Sequence, residues 1–144
     1  MRVEGVLQAK GADVVSVGPE TTLQEAAVVL RSRRIGALLV LNTSGAVQGI
    51  LSERDIVTAV AEKGADALAS AVSTVMTTDV VSCLPSDTVE ALMSVMTDHR
   101  IRHLPVVADG QLLGIVSIGD VVKRRLSEVS DEAKALQDYI TMGR

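Results

Sequence analysis

Residues 14–41, VVSVGPETTLQEAAVVLRSRRIGALLVL, and residues 80–107, VVSCLPSDTVEALMSVMTDHRIRHLPVV, are two versions of one pattern at an offset of 66 (80 − 14). A chain written twice folds as two copies of one supersecondary unit, and that restricts its architecture more than any bulk property does. Each copy opens on Val-Val-Ser, carries a proline (Pro19, Pro85) and runs into a capping-box pattern, Thr21 with Gln24 and Asp87 with Glu90. Apolar stripes at helical spacing follow: Leu23, Ala26, Ala27 and Leu30 in one copy, Val89, Leu92, Met93 and Met96 in the other.

The correspondence continues. GILSERDIV from Gly49 matches GIVSIGDVV from Gly114 at an offset of 65 (114 − 49), because the turn NTSGAVQG is one residue longer than ADGQLLG. Each copy therefore reads as strand, helix, strand, turn, strand, helix. Ala37–Leu41 is continuously apolar, as a strand covered on both faces should be. The last helices are predicted at about 55–62, stopped near Gly64, and at about 120–128. An amphipathic segment near 131–139 is expected to dock on the body or on a second subunit. The boundaries so read are a lead helix and first unit over 1–63, a connector over 64–78 rich in Ala, Ser and Thr, a second unit over 79–128 and a C-terminal helix over 129–144.

One unit of about 60 residues buries a marginal core, so two must share one. The fold class is mixed α/β (α+β): two β-α-β-β-α units packed through their sheets about a pseudo-twofold axis, with two related clefts at the junction. Of 144 residues 47% are apolar, and Tyr139 is the one aromatic, so aliphatic side chains must fill the core. The near absence of aromatics also removes any stacking platform for single-stranded bases. A net charge of −4 argues against non-specific binding to nucleic acid or membranes. The single cysteine, Cys83, forms no internal disulfide and reads as an inert core thiol in a reducing, cytoplasmic compartment. No apolar run reaches the ~20 residues of a membrane span, and the first ten residues lack a signal-peptide core.

The duplicated Gly-Ile-hydrophobic-Ser-x-x-Asp, together with HRIRHLPVV before the second turn, resembles a tandem pair of cystathionine-β-synthase (CBS) domains, the adenylate-sensing Bateman module. The resemblance covers roughly residues 14–57 and 80–122. The whole chain is similar to stand-alone bacterial two-CBS proteins, with nothing left over for an attached enzyme, channel or transporter domain.

Ser52/Asp55 and Ser117/Asp120 admit two readings. As local structure, each Ser is an N-cap and each Asp an acid suited to a first helical turn. The resemblance implies a second role, in which the carboxylate accepts both ribose hydroxyls and the Ser holds the adjacent sugar or phosphate. The readings are compatible. Arg54 is either a solvated surface cation or a phosphate donor beside a helix N-terminus; its counterpart is Gly119. Arg102 and His103 replace Gly36 and Ala37, and are either a solvated strand start or, as the resemblance implies, contacts to the nucleotide held by the other unit. His103 is no metal ligand, since His99 is the one other histidine and no third ligand is near. Lys123, Arg124 and Arg125 read as a solvated helix end.

The resulting groupings are Asp55 with Ile50, Ser52, Arg54, Val81, Arg102 and His103, and Asp120 with Ile115, Ser117, Val15, Gly36 and Ala37. The first offers two arginines and a histidine for phosphate. The second lacks them, and favours adenosine-like ends or depends on Lys123 for charge. The function expected is a non-catalytic regulatory module for adenine nucleotides, for which the resemblance implies AMP, ADP, ATP or NAD, or S-adenosylmethionine, as ligand, and which signals energy or redox state to an unidentified regulated protein. The alternative is a protein-interaction or structural module with vestigial ligand sites. No glycine-rich phosphate loop, Ser-His-Asp set or metal cluster supports an enzyme. A homodimer is expected, built by the helices after each Ser-x-x-Asp and those flanking Asp87.

Overall fold

The computed structural model describes residues 1–11 and 14–142. Helix α1 (Val3–Lys10) leads. The first repeat supplies β1 (Ser16–Val17), α2 (Leu23–Arg33), β2 (Ala37–Leu41), β3 (Val47–Ser52) and α3 (Glu53–Lys63), then 3-10 turns at Gly64–Ala69 and Val72–Thr74. The second supplies α4 (Val89–His99), β4 (His103–Ala108), β5 (Gln111–Ser117) and α5 (Ile118–Met142).

Both repeats build the same helix in the same way. Thr22 and Thr88 are extended, and each hydroxyl accepts the N–H three residues on, from Glu25 and Ala91, at 3.1 Å. The caps therefore sit one residue beyond the expected Thr21 and Asp87. Asp87 is committed elsewhere: its Oδ2 accepts the Leu84 N–H at 2.8 Å and closes the turn before the helix. The expected stripes are the buried faces, Leu23, Ala26 and Leu30 in α2 and Val89, Leu92 and Met96 in α4. Both helices end on an arginine in the left-handed region, Arg34 (φ 55°) and Arg100 (φ 54°).

Strand β2 lies between β1, parallel, and β3, antiparallel. Its first four residues are buried, as its unbroken apolar run predicts. In the second repeat β4 pairs antiparallel with β5. The expected opening strand there is reduced to one parallel bridge, Cys83 to Val106. β4 thus stays near a sheet edge, where Pro105 is tolerated.

The chain forms two compact units, and their membership corrects the expected boundaries. One is continuous, Asp13–Val81; the other joins Met1–Ala12 to Ser82–Arg144. The lead helix belongs with the second repeat, and the connector belongs with the first. The backbone bonds show why. The N–H groups of Val3 and Glu4 donate to the carbonyls of Asp87 and Pro85, and Val89 N–H donates to Met1. In the other unit Val72 and Ser73 donate to Thr21 and Pro19, and Leu23 donates to Ser70. Residues 70–77 thus repeat the role of residues 1–8 at an offset of 69 (70 − 1). Each segment satisfies first-turn donors and pre-helix carbonyls that a helix cannot satisfy by itself. Val3 and Val72, at matching places, are both fully buried.

A further departure is α5. The two expected helices, near 120–128 and within 129–144, are one helix of 25 residues from Ile118 to Met142; residues 143–144 lie outside those described. No Gly or Pro interrupts residues 120–142, so nothing stops it. Beyond Glu128 its described side chains are exposed, so this segment does not dock on the body. Val122, Leu126, Val129, Leu136 and Ile140 are all exposed and, with Ala133, follow a 4-3-4-3-4 spacing.

Candidate functional site

Each Ser-x-x-Asp stands where an antiparallel strand turns directly into a helix. Ser52 ends β3 and Ser117 ends β5. The Ser52 N–H donates to Asp55 Oδ2 at 2.9 Å, and the Asp55 N–H donates to Ser52 Oγ at 3.3 Å. Ser117 and Asp120 repeat both bonds, at 2.9 and 3.1 Å. The local reading is therefore correct at both positions: these are reciprocal capping boxes. Each cap runs through Oδ2, so Oδ1 of each carboxylate is not part of it. All four side chains are half-buried.

Strand register brings the neighbouring residues alongside. Ala37 lies opposite Ser52, and His103 opposite Ser117. The carbonyl of Gly36 accepts the Glu53 N–H at 3.0 Å, and that of Arg102 accepts the Ile118 N–H at 2.7 Å. One unit thus gathers Gly36, Ala37, Ile50, Ser52, Arg54 and Asp55; the other gathers Arg102, His103, Ile115, Ser117 and Asp120. Val15 and Val81 are half-buried members of the first-repeat unit, and the Val15 carbonyl accepts the Leu39 N–H at 3.3 Å. Arg54 and Arg102 are exposed, while His103 is half-buried at the start of β4. A separate cleft in the first-repeat unit, lined by Arg31, Arg34, Gly36 and Glu53 among others, excludes Ser52 and Asp55.

The glycines that open each motif have a packing cause. A Cβ on Gly49 would stand 2.7 Å from Met76 Sδ and 2.8 Å from the Thr77 carbonyl oxygen; on Gly114 it would stand 2.8 Å from a Leu7 methyl. Met76 and Leu7 occupy matching places in the two lead segments. Beyond them the units part. Thr77 exchanges both backbone bonds with Ile50, each 3.0 Å. Its counterpart in α1 is helical and makes no such bridge. Instead the Lys10 ammonium donates to the Ile115 carbonyl at 2.9 Å and forms an ion pair with Asp120 Oδ2.

Lys10 is the residue that sequence reasoning missed, and it corrects the expectation that Lys123 brings charge to Asp120. Lys123 is exposed. Burial alone would raise the Asp120 pKa. Hydrogen bonds from Lys10 and Ser117, with the charge of Lys10, outweigh that and hold it below the ordinary carboxylate value. Among the described residues no ion pair involves Asp55. No group of three or more metal-binding side chains occurs among them, and none of their helices is long and apolar enough to cross a membrane.

The CBS domain family matches this chain twice, over residues 9–62 and 72–127. CBS domain-containing protein YhcV of Bacillus subtilis is 37% identical over 117 residues, covering 81% of this chain and 82% of that protein. The crystal structure of the CBS-domain containing protein ATU1752 from Agrobacterium tumefaciens superposes with a TM-score of 0.85 at 49% identity, covering 86% of this chain and 92% of the other. CBS domain protein PAE2072 from Pyrobaculum aerophilum, solved in complex with AMP, superposes with a TM-score of 0.74 at 28% identity over 83% of this chain and 89% of the other. With both matches spanning the two repeats and their Ser-x-x-Asp helix starts, this chain belongs to the CBS domain family and carries two copies of the domain.

Proposed function

We propose that the chain is a non-catalytic regulatory module that binds an adenine nucleotide of the AMP, ADP, ATP or NAD class. Its state would be read by a partner protein, in the cytoplasm. The observation that carries this is the duplicated reciprocal cap. At two sites a carboxylate is fixed in orientation by one oxygen, beside a helix N-terminus that favours an anion. A fixed carboxylate suits a vicinal diol, and the relative solved with AMP supports the ligand class.

The two sites are unequal in this reading. Asp55 with Ser52 and Arg54, joined by Arg102, His103, Ile50 and Val81 as the sequence groups them, takes the phosphate-bearing ligand. Charge-assisted bonds from two arginines contribute ~1.5–3 kcal/mol each. Asp120 with Ser117, Ile115, Val15, Gly36 and Ala37 takes the weaker one. Calorimetry of AMP tests this: Asp55→Ala abolishes the tighter phase and Asp120→Ala leaves it. Equal losses, or equal binding of AMP and adenosine to the wild type, overturn the assignment.

A second reading, an interaction module with vestigial sites, is favoured by the exposed apolar stripe of α5. Nucleotide-independent homodimerisation with no thermal shift from any adenylate would select it.

A further inference from the structure

We propose that Lys10 is a tethered occupant of Asp120 Oδ2, so that a ribose can engage both carboxylate oxygens only by displacing it. The inference rests on the reading of Ser-x-x-Asp as a ribose-holding pair and assigns that pair a regulator.

Three observations carry it. The ammonium is held at two points, by the Ile115 carbonyl and by Asp120 Oδ2. The same Oδ2 already takes the Ser117 N–H, so the cap and the ion pair fill its two lone-pair sites and leave Oδ1 alone open for a diol whose hydroxyls span both oxygens. Among the described residues the matching carboxylate of the first repeat has no such partner, and the matching carbonyl, Ile50, is satisfied by the backbone of Thr77. The difference follows from secondary structure. Where the lead segment bridges a strand edge, a backbone N–H serves the carbonyl. Where it is helical, a long side chain must do so, and a lysine brings a charge with it.

A neutral diol competes poorly for that carboxylate. It must break an ion pair between partly exposed side chains and offers dipoles in place of a charge. Displacement frees the side chain that ties the last residue of α1 to β5 and α5, so ligand arrival at Asp120 is coupled to that tether.

The test uses adenosine, a neutral probe, in the Asp55→Ala protein, which isolates the second site. Lys10→Met strengthens adenosine binding about three- to tenfold, the range expected from losing one partly exposed ion pair. Lys10→Arg, which keeps the charge, leaves it weak. Added salt strengthens binding where Lys10 is present and has little effect in Lys10→Met. Lys10→Gln gives the same gain as Lys10→Met and substitutes for it should that variant fail to fold. Unchanged or weakened binding in both neutral variants overturns the proposal, and weakening makes Lys10 a ligand contact. If AMP binds the otherwise wild-type protein while the neutral variants gain nothing, this inference alone fails. If no adenine ligand binds any form, the functional reading fails and takes this one with it.

Discussion

Gly49 lies directly against the carbonyl of Thr77, so close that a Cβ would stand 2.8 Å from its oxygen. Because that oxygen is backbone and bonded to the Ile50 N–H, it cannot move aside without losing the bridge. Gly49→Ala is expected to cost about 2–3 kcal/mol, as overpacking of a fixed contact does. Gly114→Ala meets a Leu7 methyl, which can rotate, and is expected to cost less than about 1 kcal/mol. Urea midpoints of the two variants provide the comparison; equal costs would contradict the packing account.

Thr22→Ala and Thr88→Ala should each cost about 1 kcal/mol through loss of a cap, and Thr21→Ala less than about 0.5. Thermal midpoints of the three variants separate the observed cap from the one expected one residue earlier.

Asp120 makes stability depend on pH. Its pKa in the folded chain lies below the unfolded value of ~3.9. Its contribution is therefore present above that value and is lost as the pH falls through the lowered one. Asp120→Asn removes the effect, so the wild type should lose stability more steeply than the variant on acidification below about pH 4. Melting curves across that range check this, and parallel losses would exclude the pair.

Cys83 is buried, and burial, with a smaller contribution from the charge of Asp87, pushes its thiol up to about 12. The thiolate needed for reaction is then scarce at neutral pH. A thiol reagent should modify the native protein far more slowly than the urea-unfolded one, and rapid native labelling would count against a core thiol.

The stripe of α5 alternates at the 3.5-residue average of a coiled-coil seam. A second copy of the chain is the partner expected to cover it. Leu126→Glu with Leu136→Glu should shift a dimer to a monomer by light scattering at micromolar concentration, with circular dichroism unchanged. A wild-type monomer at that concentration would remove the prediction.

Much of this was legible in residues 14–57 and 80–122, because periodicity, turn chemistry and a cap each act over a few positions. The equivalence of residues 1–8 and 70–77 was not. The segments share little beyond three apolar sites, Val3, Val6 and Leu7 against Val72, Val75 and Met76, too few to register as a repeat. Lys10 was invisible for another reason: its partner lies 110 residues away and is chosen by packing. The continuity of α5 was open to the sequence too, since no Gly or Pro separates the two helices expected there.

The placement of the lead segments fixes an order of assembly. Asp13–Val81 is continuous, so all its partners are present once its own last residue has been made. Met1–Ala12 is synthesised first, yet its partners arrive only with Ser82–Arg144. Its docking closes a chain loop that contains the whole of the other unit in sequence, a contact of high sequence separation whose entropic cost precedes any gain. On the ribosome, Val3, Val6 and Leu7 remain without their core until the far repeat emerges. The Lys10–Asp120 pair cannot form before residue 120 has been made, so it belongs to this late docking step.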